Sequence, residues 1–314
     1  MNERKRPVAM VEAGLLTALA IIFTIAGTYI PFLGFFLTIV AIPLALIGIR
    51  HGLGTLSTSI VAAGLIGTMV GGIPTGTSVA LVAGSAALVI AYSFQHKWSI
   101  SKMVIGVSIV SIIAFAISFQ LMIVISGVDF FELLDASMTQ SIQMLEMMTL
   151  DETQRAQIVE SSELFVETTK MIFPSMLFIM GVMHAAINVV VLKLTMKRMK
   201  MPFLEGKPFN EFTYDRSVLI GTSLIMILSY LAGVAGIVDL LTLFTNVILI
   251  IAFAFSIQGM AIIDFFFAKR VAKKSLRFFI IALLYLAFNG YIFFGIMGWF
   301  DIIFNFRKLE RNDH

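Results

Sequence analysis

Two polar side chains in a long apolar run stand one helical turn apart and are the first candidates for chemistry. His184 and Asn188 are separated by four residues, so a helix places both on one face. Polar groups at membrane depth are costly, which makes them candidates for contact with a substrate. Zinc takes three protein ligands at catalytic sites and four at structural ones, so this pair makes a poor metal site. We favour a hydrogen-bonded buried pair and keep a ligand contact as the alternative.

A later apolar run contains two more polar candidates, Asn246 and Gln258. Either could contact a ligand, and the pair Gln258–Gly259 could loosen the helix locally. No catalytic constellation accompanies these residues, since the sequence has no H-E-x-x-H, no G-x-S-x-G and no acidic pair flanked by arginines. We therefore expect a protein that is not an enzyme and that holds neither a metal nor an organic cofactor.

Carboxylates at the ends of the apolar runs suggest ion pairs rather than catalysis. Glu12 lies in the first turns of the first run and could reach Arg50 or His51 at the same membrane surface. Asp264 lies beside a basic segment and is expected to pair with a lysine or an arginine. We predict that both carboxylates form interfacial ion pairs.

The glycine-rich stretch 64–78 resembles a phosphate-binding loop only superficially. It contains no lysine and so fails the pattern G-x-x-x-x-G-K-[ST]. We expect Pro74–Thr75–Gly76 to reverse the chain there. Any ATP-driven activity would therefore need a partner.

The composition explains why these polar residues are so few. Of 314 residues, 59% are hydrophobic and 13% charged, and the mean hydropathy is +0.98. A soluble chain has about 25% charged residues, so this one cannot cover itself with a water-facing surface. That excludes a soluble enzyme, a DNA-binding module and a disordered protein. The net charge of +3 is too small to indicate nucleic acid, and the expected partner is the lipid bilayer.

The apolar runs are long enough to cross a membrane as helices. A bilayer core takes about 20 apolar residues as helix, and backbone groups in lipid must be satisfied internally. The sequence predicts an all-α polytopic transmembrane bundle of eight or nine spans. The candidate spans are 8–29, 31–49, 53–71, 77–95, 103–127, 171–193, 217–236, 240–267 and 278–304.

Basic residues set the orientation of these spans. They cluster at 4–6, 193–216 and 269–277, which fall on one side when the spans alternate. The positive-inside rule makes that side cytoplasmic and predicts a multi-pass cell-membrane protein with a cytoplasmic amino terminus. The sequence allows two arrangements of the carboxy-terminal tail. We favour a full crossing of 278–304, with a hairpin broken at Asn289–Gly290 as the alternative.

One segment between spans, 128–169, is acidic and belongs in water outside the membrane. Thr149–Glu152 has the capping-box pattern that begins a helix. We favour a surface helix over the outer mouth. The alternative is a lid whose Met144, Met147 and Met148 cover a ligand.

Small residues recur every four positions and let helices approach closely. Gly14 with Ala18, and Ala9 with Ala13, form two neighbouring ridges on the first span. We favour packing within the bundle, and an unpaired ridge would instead be a docking surface for another membrane protein. The remaining ridges, on the third and fourth spans, are Ser59, Ala63, Gly67 and Gly71, and Ala83, Ala87 and Ala91.

The stretch Glu12–Gly67 resembles the amino-terminal part of substrate-binding S components of energy-coupling-factor vitamin transporters. A small-residue motif on the first helix precedes an Ile-Pro turn, and a second Ile-Pro runs into a small-rich third helix. The whole chain more closely resembles the YybS-like family of bacterial membrane proteins, which carries a domain of unknown function. Gln258–Ala261 and the ending Gly298–Arg307 add to that resemblance.

The S-component resemblance implies a six-helix core over 1–200, including the acidic segment, with a ligand cavity that opens outward. It also implies that Gly14 and Ala18, or as second choice Ala9 and Ala13, dock a transmembrane coupling subunit driven by ATPases. Residues 201–314 would add two or three helices and a short polar tail. The leading expectation is uptake of a small molecule, and the alternative is a non-transporting scaffold or regulator acting through helix–helix contacts.

Overall fold

A computed structural model describes residues 5–127, 129–146, 152–204 and 206–309, and those residues form helices and connecting turns without a strand. A π-helical segment, Ser78–Ala83, joins the fourth helix to the fifth, and a 3-10 turn covers Phe209–Glu211. The helices are α1 (Lys5–Tyr29), α2 (Phe35–Ile39), α3 (Ala41–His51), α4 (Leu53–Thr77), α5 (Gly84–Gln95), α6 (Ile100–Ser126), α7 (Phe130–Glu146), α8 (Glu152–Arg198), α9 (Ser217–Val234), α10 (Leu240–Ala268), α11 (Lys274–Ala287) and α12 (Gly290–Phe304).

The helices group into two compact units. Unit 1 comprises Met1–Val166 and Met180–Gly206, and unit 2 comprises Glu167–Ile179 and Lys207–His314. Helix α8 contributes to both. Its 47 residues give a length of about 70 Å, more than twice a bilayer core. The expected span 171–193 is thus one part of a longer helix that runs through Pro174.

Helix α3 lies at the centre of unit 1, where every residue from Ala41 to Gly48 is buried. Pro43 stands in its first turn, and because proline lacks a backbone N–H, the preceding helical segment ends one turn earlier, at Ile39. Gly48 allows close contact with Ala91 and Leu56, since a Cβ there would lie 2.5 Å and 2.7 Å from their side chains.

Helix α4 reverses direction at Gly71–Gly72, three residues before the expected turn at Pro74–Thr75–Gly76. Gly72 has a φ of 76° and a ψ of 179°, a conformation essentially restricted to glycine. The two arms then pack closely, with the Cβ position of Gly67 3.3 Å from Gly76 Cα. The expected turn is wrong in position because Pro74 begins the second arm, where its missing N–H costs nothing.

Helices α10 and α12 form the closest packing in unit 2. A Cβ on Gly298 would lie 2.0 Å from the Phe255 carbonyl oxygen, and one on Gly295 would lie 2.8 Å from the Ala252 carbonyl oxygen. Gly259 similarly faces the backbone of Phe294. Glycine is required at these positions because the two backbones touch.

The expected span over 278–304 is not one continuous helix but a bent pair of shorter helices. Helices α11 and α12 meet at an angle of 112°, at Phe288–Asn289, and Asn289 adopts the left-handed conformation with a φ of 48°. Neither helix alone reaches 20 residues, so neither spans a bilayer core of about 30 Å by itself. The bend falls where the hairpin alternative placed it.

The described part of the acidic segment is helical except at Asp129. Helix α7 covers Phe130–Glu146, and α8 begins at Glu152. Met144 is exposed, whereas Met147, Met148 and Thr149 lie outside the described residues.

Seven helical stretches among the described residues are long and apolar enough to cross a membrane, or up to eight if the bent pair is one span. Two of these stretches, Pro31–His51 and Leu53–Gln95, each combine two of the helices named above. One of the seven, Leu53–Gln95, contains the reversal at Gly71–Gly72. Many large apolar side chains are exposed, such as Ile220, Leu286 and Met69. Exposed apolar surface on this scale requires a lipid environment. The protein is a polytopic all-α membrane protein, which confirms the expected fold class.

Candidate functional site

A buried polar cluster in unit 1 contains the first two predicted residues. His184 Nδ1 lies 2.9 Å from Ser111 Oγ, which joins α8 to α6. Asn188 Nδ2 donates to the carbonyl oxygen of Thr38 at 2.9 Å and to that of His184 at 2.9 Å. The Thr38 carbonyl lies just before the break between α2 and α3. The cluster therefore connects three parts of unit 1.

Each of these two side chains keeps one polar atom without a hydrogen-bond partner among the described residues. The atoms are His184 Nε2 and Asn188 Oδ1, and both residues are buried. Because Asn188 uses its amide nitrogen on two carbonyls, the orientation of the amide is fixed and the open atom is an acceptor. Two hydroxyls of unit 1, Thr28 Oγ1 and Ser118 Oγ, are buried and unpartnered in the same way.

Asn246, by contrast, uses both polar atoms within unit 2. Its Oδ1 accepts from the Ser175 amide at 2.8 Å. Its Nδ2 donates to the carbonyl oxygens of Met171, at 2.7 Å, and Thr242, at 2.8 Å. These bonds attach the Glu167–Ile179 portion of α8 to α10, so Asn246 is a connector between helices.

Gln258 belongs to a buried ionic network. Its Nε2 donates to Asp301 Oδ2 at 2.9 Å, and Arg307 donates to the same oxygen from Nη2 at 2.8 Å. The Arg307 side chain is fully buried and Asp301 is 1% exposed. Arg307 also donates to the carbonyl oxygens of Asn210 and Phe212, both at 2.8 Å. A buried arginine is thereby matched by one carboxylate and two carbonyls.

The segment before α9 completes this network. The Tyr214 amide donates to Gln258 Oε1 at 2.8 Å, and its hydroxyl donates to the Ala254 carbonyl at 3.0 Å. Burial raises the pKa of Tyr214 to about 12, so the phenol stays protonated at physiological pH. The network holds the end of α12, the middle of α10 and the segment 207–216 together.

The four predicted polar residues do not converge on one site. His184 and Asn188 lie in unit 1, and Asn246 and Gln258 lie in unit 2 with separate sets of partners. The sequence reasoning missed Asp301, which is an acidic residue inside an apolar run and for that reason alone needs a partner.

Both carboxylates predicted to form ion pairs do so. Glu12 pairs with Arg50, and its other oxygen lies 3.0 Å from His51 Nε2. Asp264 is buried and lies 2.6 Å from Arg277 Nε. No group of three or more metal-ligating side chains occurs in the described ranges.

The two ridges of α1 face different directions. Gly14 and Ala18 are exposed, and a Cβ on Gly14 would have nothing within 4 Å. Ala13 is buried and Ala9 is half-buried, so the second-choice ridge faces the bundle. Gly71 is not part of a helical ridge, because it forms the reversal of α4. The remaining predicted ridge residues are buried: Ser59, Ala63, Gly67, Ala83, Ala87 and Ala91.

These features define an integral membrane protein of packed helices with polar clusters buried between them. The chain matches the family described as "Predicted membrane protein (DUF2232)" over residues 18–302, and it belongs to that family. It is 25% identical to the "Uncharacterized protein YybS" of Bacillus subtilis (strain 168), over 97% of this chain and 99% of that relative. The predicted YybS-like membership is thereby confirmed. No solved structure matches. The similarity to S components is not shown by these comparisons and stays a prediction.

Proposed function

We propose that the chain binds a small polar molecule within unit 1 and takes part in its uptake across the cell membrane, as a binding protein rather than an enzyme. The observation that carries the proposal is the pair of unpartnered atoms, His184 Nε2 and Asn188 Oδ1, one turn apart on one face of α8. A buried polar atom without a partner costs about 1–3 kcal/mol, so such atoms call for an additional group.

The hydrogen bonding around the cluster indicates the chemistry of that group. If Ser111 donates to His184 Nδ1, then Nε2 carries the ring proton and is a donor. Asn188 Oδ1 is an acceptor. A ligand group with both an acceptor and a donor, such as an amide or a hydroxyl, would complement the two atoms.

Asn246 supplies a matched control for the ligand test, because it is also buried but uses both of its polar atoms in hydrogen bonds. The protein is purified in mild detergent, denatured, and the released small molecules are measured by mass spectrometry. We expect the wild type to release one polar molecule in near-stoichiometric amount. Asn188→Leu should lower that amount about tenfold or more, because the acceptor is lost, whereas Asn246→Leu should destabilise the protein and still release the molecule.

Two results would end the ligand proposal. One is a wild type that releases no such molecule, which would mean that an ordered water bonds to His184 Nε2 and Asn188 Oδ1. The other is an equal loss of the released molecule in Asn188→Leu and Asn246→Leu, which would mean that both substitutions act only by destabilising the protein.

A second candidate function is that of a membrane scaffold that binds another protein through α1. It is favoured by the exposure of Gly14 and Ala18, which leaves a small-residue surface open on that helix. Uptake needs both the ligand and a coupling partner, and a scaffold needs the partner alone.

Partner docking is tested by the double substitution Gly14→Leu and Ala18→Leu. Gly221→Leu on α9 is the control, because Gly221 also has nothing within 4 Å of its Cβ position. We expect the α1 variant, and not the control, to lose membrane proteins that co-purify with the wild type. Unchanged co-purification would show that α1 docks no partner.

A further inference from the structure

The turn between α10 and α11 carries a concentrated positive charge. The basic turn, residues 269–274, contains Lys269, Arg270, Lys273 and Lys274, and all four residues are exposed. None of the four forms an ion pair with any side chain in the described part of the protein. Four cations this close repel one another, so they favour an anionic partner.

The acidic residue nearest in sequence does not neutralise the basic turn. Asp264 is buried and bound by Arg277, which also donates to the Val271 carbonyl at 3.0 Å. Helix α11 has no side-chain cap at Lys273 and no acidic residue in its first turn. Its first amide groups therefore add a partial positive charge at the same turn.

Exposed apolar side chains adjoin these cations. Phe266, Leu276 and Phe279 are between 44% and 61% exposed. Lys269 Nζ lies 5.2 Å from the centre of the Phe265 ring, so the ammonium group sits directly beside apolar surface. A soluble anion would use the cations alone, whereas a phospholipid would also cover the rings with its acyl chains.

We propose that the basic turn binds the phosphate headgroup of an anionic phospholipid, whose acyl chains lie on the apolar side chains beside it. The positive-inside rule places this turn at the cytoplasmic leaflet, whose anionic lipids attract basic segments next to the membrane. The proposal concerns unit 2 and is independent of ligand binding in unit 1.

The test compares two variants that each lose four positive charges. One carries Lys269→Gln, Arg270→Gln, Lys273→Gln and Lys274→Gln. The matched control carries Lys193→Gln, Lys197→Gln, Arg198→Gln and Lys200→Gln at the end of α8. Each protein is equilibrated with nanodiscs of phosphatidylcholine containing a minor fraction of phosphatidylglycerol, extracted, and analysed by native mass spectrometry for bound lipid.

We expect the basic-turn variant to retain at least about tenfold less phosphatidylglycerol than the wild type, because it loses four cations and each cation near an anionic surface contributes up to roughly a fivefold factor in affinity. The control should retain most of it. A third variant, Lys269→Arg, Lys273→Arg and Lys274→Arg, keeps the charge and should retain the lipid, which separates loss of binding from misfolding.

Three results would overturn the proposal. Equal losses in the two glutamine variants would show that general surface charge attracts the lipid. Unchanged retention in the basic-turn variant would show that the turn is not the site. Displacement of phosphatidylglycerol by millimolar inorganic phosphate would show that the turn binds a soluble anion.

Discussion

Gln258 donates its side-chain nitrogen to Asp301 across 2.9 Å, joining the middle of α10 to the last turn of α12. The two residues come from two carboxy-terminal motifs of the sequence, Gln258–Ala261 and Gly298–Arg307. Gly259 and Gly298 lie beside them and bring the helix backbones into contact. The motifs therefore meet in space, and their polar residues satisfy each other in a region that excludes water.

Removing Arg307 should strongly destabilise unit 2. Arg307→Met leaves the Asp301 carboxylate buried without its cation, which typically costs about 3–5 kcal/mol. The free energy of unfolding is measured by titrating dodecyl sulfate into detergent-solubilised protein and following helicity by circular dichroism. The half-exposed pair of Glu12 and Arg50 is the control, and Glu12→Gln should cost about 1 kcal/mol or less.

A compensating substitution tests the cause of that loss. The double variant Asp301→Leu and Arg307→Met removes both charges, so it should recover part of the stability lost by Arg307→Met. If the double variant is as unstable as the sum of the two single variants, the pair is not energetically coupled.

All nine expected spans have helices at their positions, the last one as the bent pair, because about 20 apolar residues in succession leave few other structures in lipid. Two features of the fold needed information that apolar length does not contain. The reversal of α4 depends on the backbone conformation of Gly72, and several glycines in that stretch were equally plausible. The pair Asn289–Gly290 suggested a break before α12, but only as the alternative to a full crossing. The basic residues of the tail indicate only weakly on which side of the membrane the tail lies.

The sequence predicted which polar residues are buried among the helices, but it did not predict which groups they bond to. Helical spacing placed His184 and Asn188 on one face, yet the partner of Asn188 is the Thr38 carbonyl, which is distant in sequence. A backbone carbonyl that is left free where a helix breaks can belong to any residue, so the residue type does not predict it. The ion pair of Glu12 was predictable because charged residues at one membrane surface have few possible partners.

The contact between α10 and α12 predicts that substitutions at Gly298 strongly destabilise the protein. In Gly298→Ala the new methyl group would meet the Phe255 carbonyl oxygen at 2.0 Å, so the helices must separate. We expect a loss of about 1–3 kcal/mol in the free energy of unfolding, the usual range for overpacking. Gly221→Ala on α9 is the control, since that site is open and should be neutral or slightly stabilised. Equal stability of the two variants would contradict close packing at Gly298.

The α4 reversal predicts a backbone effect at Gly72. Gly72→Ala places a Cβ on a residue with a φ of 76° and should cost about 1–3 kcal/mol. Gly54→Ala, in the same helix with an ordinary helical backbone and open space, should cost nothing. Thermal unfolding of the two variants in one detergent provides the comparison, and a stable Gly72→Ala variant would mean that the chain does not turn there.

The bent pair of α11 and α12 predicts that both of its ends lie on the same side of the membrane. Arg277, in the first turn of α11, bonds Asp264 near the end of α10, and Arg307, after α12, bonds the segment before α9. If α9 and α10 each cross the membrane, α9 begins and α10 ends on the same side, and we expect the pair to re-enter that side instead of crossing. The sequence has no cysteine, so Lys273→Cys, Lys308→Cys and Val238→Cys each give a single label site. With a membrane-impermeant maleimide on oriented vesicles, positions 273 and 308 should react from the same side and position 238 from the other. Reaction of positions 273 and 308 from opposite sides would mean that α11 and α12 together cross the membrane.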